Sequence, residues 1–301
     1  MKKTVMKKYA QLIAVTGANV QKGQEVMIHA SVEVAEFVRM VAEECYRAGA
    51  KKVIVEWSYQ PLEKIDYRYR SLKTLSAIEK WELERLEHRV EALPAMIYLE
   101  SDDPDGLAGV NQQKMAKARQ ARYPFIKPYR DKMENRYQWV IAAVPGEKWA
   151  KKMFPELSRN RAVEKLWEAI LYTARADGED PIADWKTHNA DLAERSKYLN
   201  DLGIEELIYI RRTGPTSVWG SFLMLIFSVA ERLLLREFII IRICRRRRYL
   251  PLRCAARRRE PSLRHARSPI RDSSLKISRY ALKTARQSRY TPKRTKNCFV
   301  I

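Results

Sequence analysis

The sequence predicts an α/β fold: an open, mainly parallel sheet with helices on both faces, followed by an irregular basic C-terminal tail. Three observations predict it. A strand–helix–strand unit fills Asn19 to Trp57, apolar strand-like runs alternate with amphipathic stretches down to residue 210, and the charge balance then breaks. Residues 1–210 hold 34 Lys+Arg and 32 Asp+Glu, whereas residues 211–301 hold 24 and 4, so the net charge of +22 resides almost wholly in the tail. The 301 residues suffice for one large or two ordinary domains. They divide here into an α/β domain over 1–210 and a tail over 211–301.

The opening unit is justified residue by residue. Met6 to Gly17 is an amphipathic helix, too short of apolar core for a secretion signal, and the cytoplasm is the expected compartment. Glu25 to Ala30 is an apolar run after the Gly-containing turn QKGQ. Ser31 offers an oxygen at a helix start, and Glu33 suits the positive end of the dipole. Val32, Ala35, Val38, Val41, Ala42 and Cys45 recur at helical steps and define the expected buried side. Gly49 supplies the left-handed stop, and Lys52 to Trp57 is a β-branched strand. Two such strands joined by a crossover helix make a parallel βαβ unit.

The remaining elements follow in order. Ser58 to Arg70 is expected as an aromatic, polar loop, and Leu72 to Leu93 as one long helix with Ile78, Trp81, Leu86, Val90 and Leu93 among its apolar members. Ala95 to Leu99 is a third strand, and residues 100–106 form a loop at its carboxyl end, where α/β sheets usually place ligands. Asn111 to Asn135 is a basic helix, with Pro124 and Pro128 as expected breaks. Tyr137 to Val144 is a fourth strand, and short helices span Glu147–Met153 and Ala162–Ala176. Asp180 caps a helix to about Leu202 with Pro181 at its first position, and Ile204 to Ile210 is a fifth strand.

Beyond Gly220 the chain changes character. Residues 221–301 contain no glycine, where average usage of about 7% would place roughly six. Asp272 is the only aspartate after Asp201, and from residue 211 arginine outnumbers lysine 20 to 4. Val218 to Ala230 is apolar, but Glu231, Arg232, Arg236 and Glu237 end the run before a membrane span accumulates. Cys45, Cys244, Cys254 and Cys298 form no CxxC pair and no metal-ligand spacing, and Cys45 is read as an inert core residue.

The first 210 residues resemble the N-terminal domain of the thermophilic metallo-aminopeptidases related to aminopeptidase T and aminopeptidase S. The resemblance rests on the βαβ unit at 19–57, SDDPDGLAGVN (101–111), AAVPGEKWAKKMFPEL (142–157), AVEKLWEAI (162–170) and DPIADWKTHNADLAERSKYLN (180–200). It implies removal of N-terminal amino acids from peptides, a pair of divalent metal ions (zinc or cobalt) and a homodimer. It also implies that the metal ligands, which are Glu, His, Asp and Tyr, belong to a C-terminal domain. Two metals share a water, lower its pKa and polarise the scissile carbonyl.

The tail departs from that pattern, and its frame explains how. Each adjacent pair of residues permits only a few residues one base upstream. Across Arg236 to Arg253 that frame permits GIYYYPNMPTEEVFTAP, and across Arg264 to Lys283 it permits TRPLSYQGQLIENFTLRFE. Both strings resemble C-terminal stretches of the same family, and the Glu of PTEE resembles one of its metal ligands. Gly214 to Gly220 permits TDL and VG at the same offset. One base missing near codon 214 is therefore the expectation. The tail as written supplies Glu231, Glu237, Glu260, His265 and Asp272 with no spacing of a metal cluster, so no numbered residue is assigned a catalytic, cofactor-binding or metal-binding role. As written, the chain is expected to be a truncated, inactive metallo-aminopeptidase.

Other candidates carry a bland reading beside a sharp one. His188 matches a family histidine but has Leu192 at i+4, which cannot ligate, and a structural role is preferred. His29 reads as a satisfied core histidine and His88 as solvated. Asp102, Asp103 and Asp105 lack EF-hand spacing and read as a turn. Trp139, Trp149, Trp167 and Trp185 read as core filling. The alternative function is a non-catalytic α/β domain whose tail binds nucleic acid or acidic surfaces. It rests on Arg245–Arg248 and Arg257–Arg259 for phosphates, with Tyr249, Tyr280 and Tyr290 for stacking.

Overall fold

The computed structural model describes residues 1–202 in full and, beyond them, only the backbone of seven short strands. The first unit, Met1–Ala193 with Val229–Leu250, is built on a four-stranded parallel sheet. Its strands are β1 (Glu25–Ser31), β2 (Lys52–Ser58), β3 (Ala95–Glu100) and β4 (Trp139–Ala143), in the order β2-β1-β3-β4. The expected open α/β sheet is therefore present.

Register sorts the residues into two faces. Ile28 pairs with Val55 and Ile97, and Ile97 with Val140, so these four share one face. That face packs on α1 (Lys3–Gln11), α2 (Ala35–Arg47), α7 (Glu147–Met153) and α8 (Arg159–Thr173) to form the core. Tyr9 ties this layer together: its ring stacks on Phe37 at 5.7 Å, meets Trp167 edge-on at 6.2 Å, and its hydroxyl donates to the Ala143 carbonyl at 3.2 Å. The opposite face carries α5 (Lys80–Ala92), as the side-chain contacts of the next subsection show.

Several local features match the sequence reading. The Ser31 hydroxyl accepts from the Glu33 backbone N–H at 3.3 Å, and Asp180 Oδ1 accepts from Ile182 and Ala183 at 3.1 Å, starting α9 (Pro181–Asp201) at the proline. Gly49 has φ +104°, and a Cβ there would lie 3.1 Å from the Lys22 Cα, so both conformation and space call for glycine. Cys45 is fully buried, and burial pushes its thiol up to about 12, which makes it inert. Trp167 and Trp185 are core residues, while Trp139 and Trp149 are half-buried.

Elsewhere the local chemistry overrides the expectation. Val32 to Val34 forms a 3₁₀ turn before α2, which shifts the helical phase. Val32 and Ala35 are consequently exposed, and the buried stripe runs Val34, Phe37, Val38, Val41 and Cys45. The expected loop after Ser58 is a helix, α3 (Gln60–Tyr69), started by Pro61 in its first turn. The expected single helix over Leu72–Leu93 is α4 (Leu72–Ser76) and α5, separated where Ala77 turns extended and Glu79 forms a capping box with Glu82.

The prolines at 124 and 128 do not break α6 (Gln112–Met133). They sit four residues apart on one face, so the carbonyls they leave unbonded, at Gln120 and Pro124, lie along an exposed stripe that water can satisfy.

The expected fifth strand, β5 (Glu206–Tyr209), does not extend the parallel sheet. It belongs to the second unit, Glu194–Ser228 with Pro251–Ile301, where it pairs antiparallel with β6 (Ser217–Trp219) and parallel with a strand at Cys298–Val300. The arginine clusters, Tyr249, Tyr280, Tyr290, Glu231, Glu237, Glu260, His265 and Asp272 lie outside the described residues. Among the described residues, no helix is long and apolar enough to cross a membrane.

Gly146 gives a direct check on the packing of β3 against the start of α7. A Cβ there would lie 2.2 Å from the Ser101 carbonyl oxygen, which is backbone and cannot rotate away. Gly146→Ala is expected to cost about 1–3 kcal/mol in urea unfolding, and an unchanged midpoint would contradict this contact.

Candidate functional site

The crossovers set where a ligand crevice can form. From β1 the chain moves to β2 through α2, then crosses back through α3–α5 to β3 on the other side of β1. The connections thus diverge between β1 and β3, and the carboxyl ends of the strands open there. A crevice of about 280 Å³ lies at this point, walled by His29 and Ala30 of β1, Glu56, Trp57 and Ser58 of β2, Tyr98 to Glu100 of β3, Arg85 of α5, and Asp102.

Its floor is a row of registered residues. His29 pairs with Glu56 on one side and Tyr98 on the other, so all three project to the α5 face. The His29 ring stacks on Tyr98 at 4.8 Å, and its Nδ1 lies 3.0 Å from Glu56 Oε2. A carboxylate only accepts, so Nδ1 carries the proton and donates. The His29 Nε2 is enclosed and lacks a protein partner. The Glu–His pair resembles general-base geometry, but the nitrogen that would take a substrate proton does not open into the crevice.

Two arginines one helical turn apart on α5 complete the cluster. Arg89 lies 2.5 Å and Arg85 3.2 Å from Glu56 Oε1, and Arg85 also sits over the Trp81 ring at 5.2 Å. Burial pushes the Glu56 carboxyl up, but the hydrogen bonds and charges of His29 and Arg89 outweigh it and bring its pKa to about 2. Burial raises the Tyr98 hydroxyl to about 12.

The other candidate residues sort themselves by contact. His88 is exposed, as expected, and in addition pairs with Glu25 at 2.9 Å, which pins α5 to the amino end of β1. Trp185 donates to the Ala174 carbonyl at 2.7 Å, and His188 packs edge-on against Trp185 at 5.5 Å, a structural role. The three aspartates do not converge. Asp103 Oδ1 accepts from the Asp105 N–H, Asp105 pairs with Lys152, and only Asp102 lines the crevice. Glu56 was legible only as a lone acid in an apolar strand, and the register that makes it a partner of His29 is not written in either strand alone.

The metal pair expected from the resemblance finds no home here. Among the described residues, no group of three His, Cys, Asp or Glu side chains is placed to hold a metal ion, and no chemical step is derived through one.

Fold and site together define a doubly wound α/β domain with a crevice at its switch point. The chain belongs to the thermophilic metalloprotease family M29, whose family model matches residues 2–215. It is 34% identical over 203 residues to aminopeptidase 2 of Geobacillus stearothermophilus, covering 67% of this chain and 49% of that protein. Against aminopeptidase T of Thermus thermophilus the identity is 35% over 196 residues, covering 65% and 48%. The solved structure of wild-type AmpT from Thermus thermophilus matches with a TM-score of 0.71 at 27% identity, covering 80% of this chain and 59% of that one. The chain spans about half the length of the curated relatives it matches.

The Glu56 cluster makes stability pH-dependent with a defined sign. Its folded pKa is depressed, so its contribution is complete above the ordinary value of 4.5 and is lost as pH falls toward about 2. Unfolding free energy is expected to drop by about 3 kcal/mol from this group between pH 5 and pH 2. Glu56→Gln removes that part of the slope, and an identical pH profile for the variant would contradict the cluster's role.

Proposed function

We propose that residues 1–210 are the N-terminal domain of a metallo-aminopeptidase, and that this chain as written is an inactive form of it. The observation that carries the reading is the match itself. Relatives called aminopeptidases align over one half of their length, and the described residues of that half bring no metal-binding trio together. The intact enzyme on this reading releases N-terminal amino acids from peptides as a homodimer. Its two divalent ions, zinc or cobalt, are held by the half that this chain does not match.

A lost base near codon 214 accounts for the remainder. The family match ends at residue 215, and 24 of the 28 charged residues after 210 are basic. The domain's own contribution is structural and positional: a rigid parallel sheet, an α5 layer latched by ion pairs, and a crevice at the strand ends. A cytoplasmic enzyme acting on peptides is the corresponding expectation.

Repairing the frame at codon 214 tests the reading. The purified chain as written is expected to give no turnover of a leucyl chromogenic substrate with cobalt or zinc, and the repaired protein to give metal-dependent turnover that a chelator abolishes. Turnover by the chain as written would overturn the claim that it lacks the metal site.

A further inference from the structure

The two faces of the sheet are covered unequally. Met27, Leu93, Met96 and Ala118 are buried but stand outside the main core cluster. Met27 and Met96 are register partners on the α5 face, and on β1 Met27 lies between Glu25 and His29. The helices α3, α4 and α5 bury no residue of their own, and α6, bonded to them, buries only Ala118.

Polar bonds make that layer cohere. Lys114 of α6 donates to the Tyr67 carbonyl of α3 at 2.8 Å. Arg122 of α6 donates to the Ala77 carbonyl between α4 and α5, and pairs with Glu82 of α5 at 2.5 Å. The layer is fastened to the sheet at two glutamates: His88 reaches Glu25, and Arg85 and Arg89 reach Glu56. Glu56 is the register partner of His29, so the two fastenings bracket Met27. Arg85 and His88 are 45% and 47% exposed, and solvent ions therefore reach both fastenings. A layer that buries so little has a lower opening free energy than a continuous apolar core.

We propose that α3–α6 is a charge-latched lid: it lifts from the sheet as one unit while the first-face core stays folded, and ionic strength sets how often it lifts. Arg85 is a wall of the crevice, so lifting the lid widens the crevice as well.

Three methionines report the event. Met27 and Met96 lie under the lid at 2% and 5% exposure, and Met40 lies in the first-face core at 2%, so all three are enclosed when the lid is down. The full 301-residue chain is treated with dilute hydrogen peroxide, which oxidises an accessible thioether to the sulfoxide and leaves water. Each site is followed by peptide mass spectrometry. Met27 and Met96 are expected to react about tenfold or more faster than Met40, and amide exchange in α5 to outrun that in α2. Sodium chloride at about 0.5 M is expected to speed both about threefold, the scale of a screened ion pair, and to leave Met40 unchanged. Glu56→Gln is expected to speed both about tenfold. Ile170→Val thins the first-face core. It is expected to speed Met40 about three- to tenfold and to leave Met27 and Met96 at parental rates. Whole-domain unfolding would instead move all three methionines together in that variant. The proposal is overturned if Met27 and Met96 react no faster than Met40, or if all three speed alike in Ile170→Val. Parental Met27 and Met96 rates in salt and in Glu56→Gln would overturn it equally.

Discussion

In a parallel sheet, residues paired in register project to the same face, so each position of the central strand dictates what its neighbours must be. β1 is that strand here. Its even positions, Val26, Ile28 and Ala30, sit beside Val53, Val55, Ala95, Ile97 and Leu99, and the helices α1, α2, α7 and α8 close over them. Its odd positions put Glu25 and His29 on the opposite face, and these determine what α5 must carry. A one-residue slip of β2 would send Glu56 into the apolar core and strand His29 without its carboxylate. Register is thus held from both sides, by burial on one face and by charge on the other.

The two layers are consequently held by different forces. The first face is a continuous core in which Ile28, Ile97 and Val140 are fully buried, each such side chain contributing about 1.5–3 kcal/mol. By contrast α3, α4 and α5 contain no buried residue, and Trp81 of α5 is mostly exposed. What fastens α5 is the ladder His88–Glu25, Arg89–Glu56 and Arg85–Glu56. Surface pairs of this kind contribute about 0–1 kcal/mol, and only the half-enclosed Glu56 group does more. A layer held by polar contacts leaves the strand ends beneath it accessible, which is where the crevice opens.

The sequence made the parallel sheet legible because its signals are local. β-branched runs, Gly49 at positive φ, and the Asp180–Pro181 start each act within a few residues of themselves. The errors arose where a neighbour decides. The phase of α2 was set by a 3₁₀ turn that no periodicity announces, and the split between α4 and α5 by a capping box hidden in a charged run. The continuity of α6 through two prolines depends on which carbonyls face water. His88 is exposed as read, but its pairing with Glu25 was not visible because the partner lies 63 residues away on β1. The crevice was anticipated at the carboxyl end of β3, but its composition was not, since its residues come from three strands, a helix and a loop.

That division bears on how the chemistry is distributed. Metal centres need several ligands converging from different elements at fixed geometry, and the described part of this chain spends its acids otherwise. Glu25 and Glu56 latch α5, Glu82 caps it and holds Arg122, and Asp105 pairs with Lys152. Among the described residues no three His, Cys, Asp or Glu side chains are placed to hold a metal ion, and the carboxylates named here serve instead as fasteners between layers. The carboxylates of residues 1–210 are nearly matched by their own Lys and Arg, at 32 against 34, so the pairing that fastens α5 is drawn from a domain whose charges almost balance.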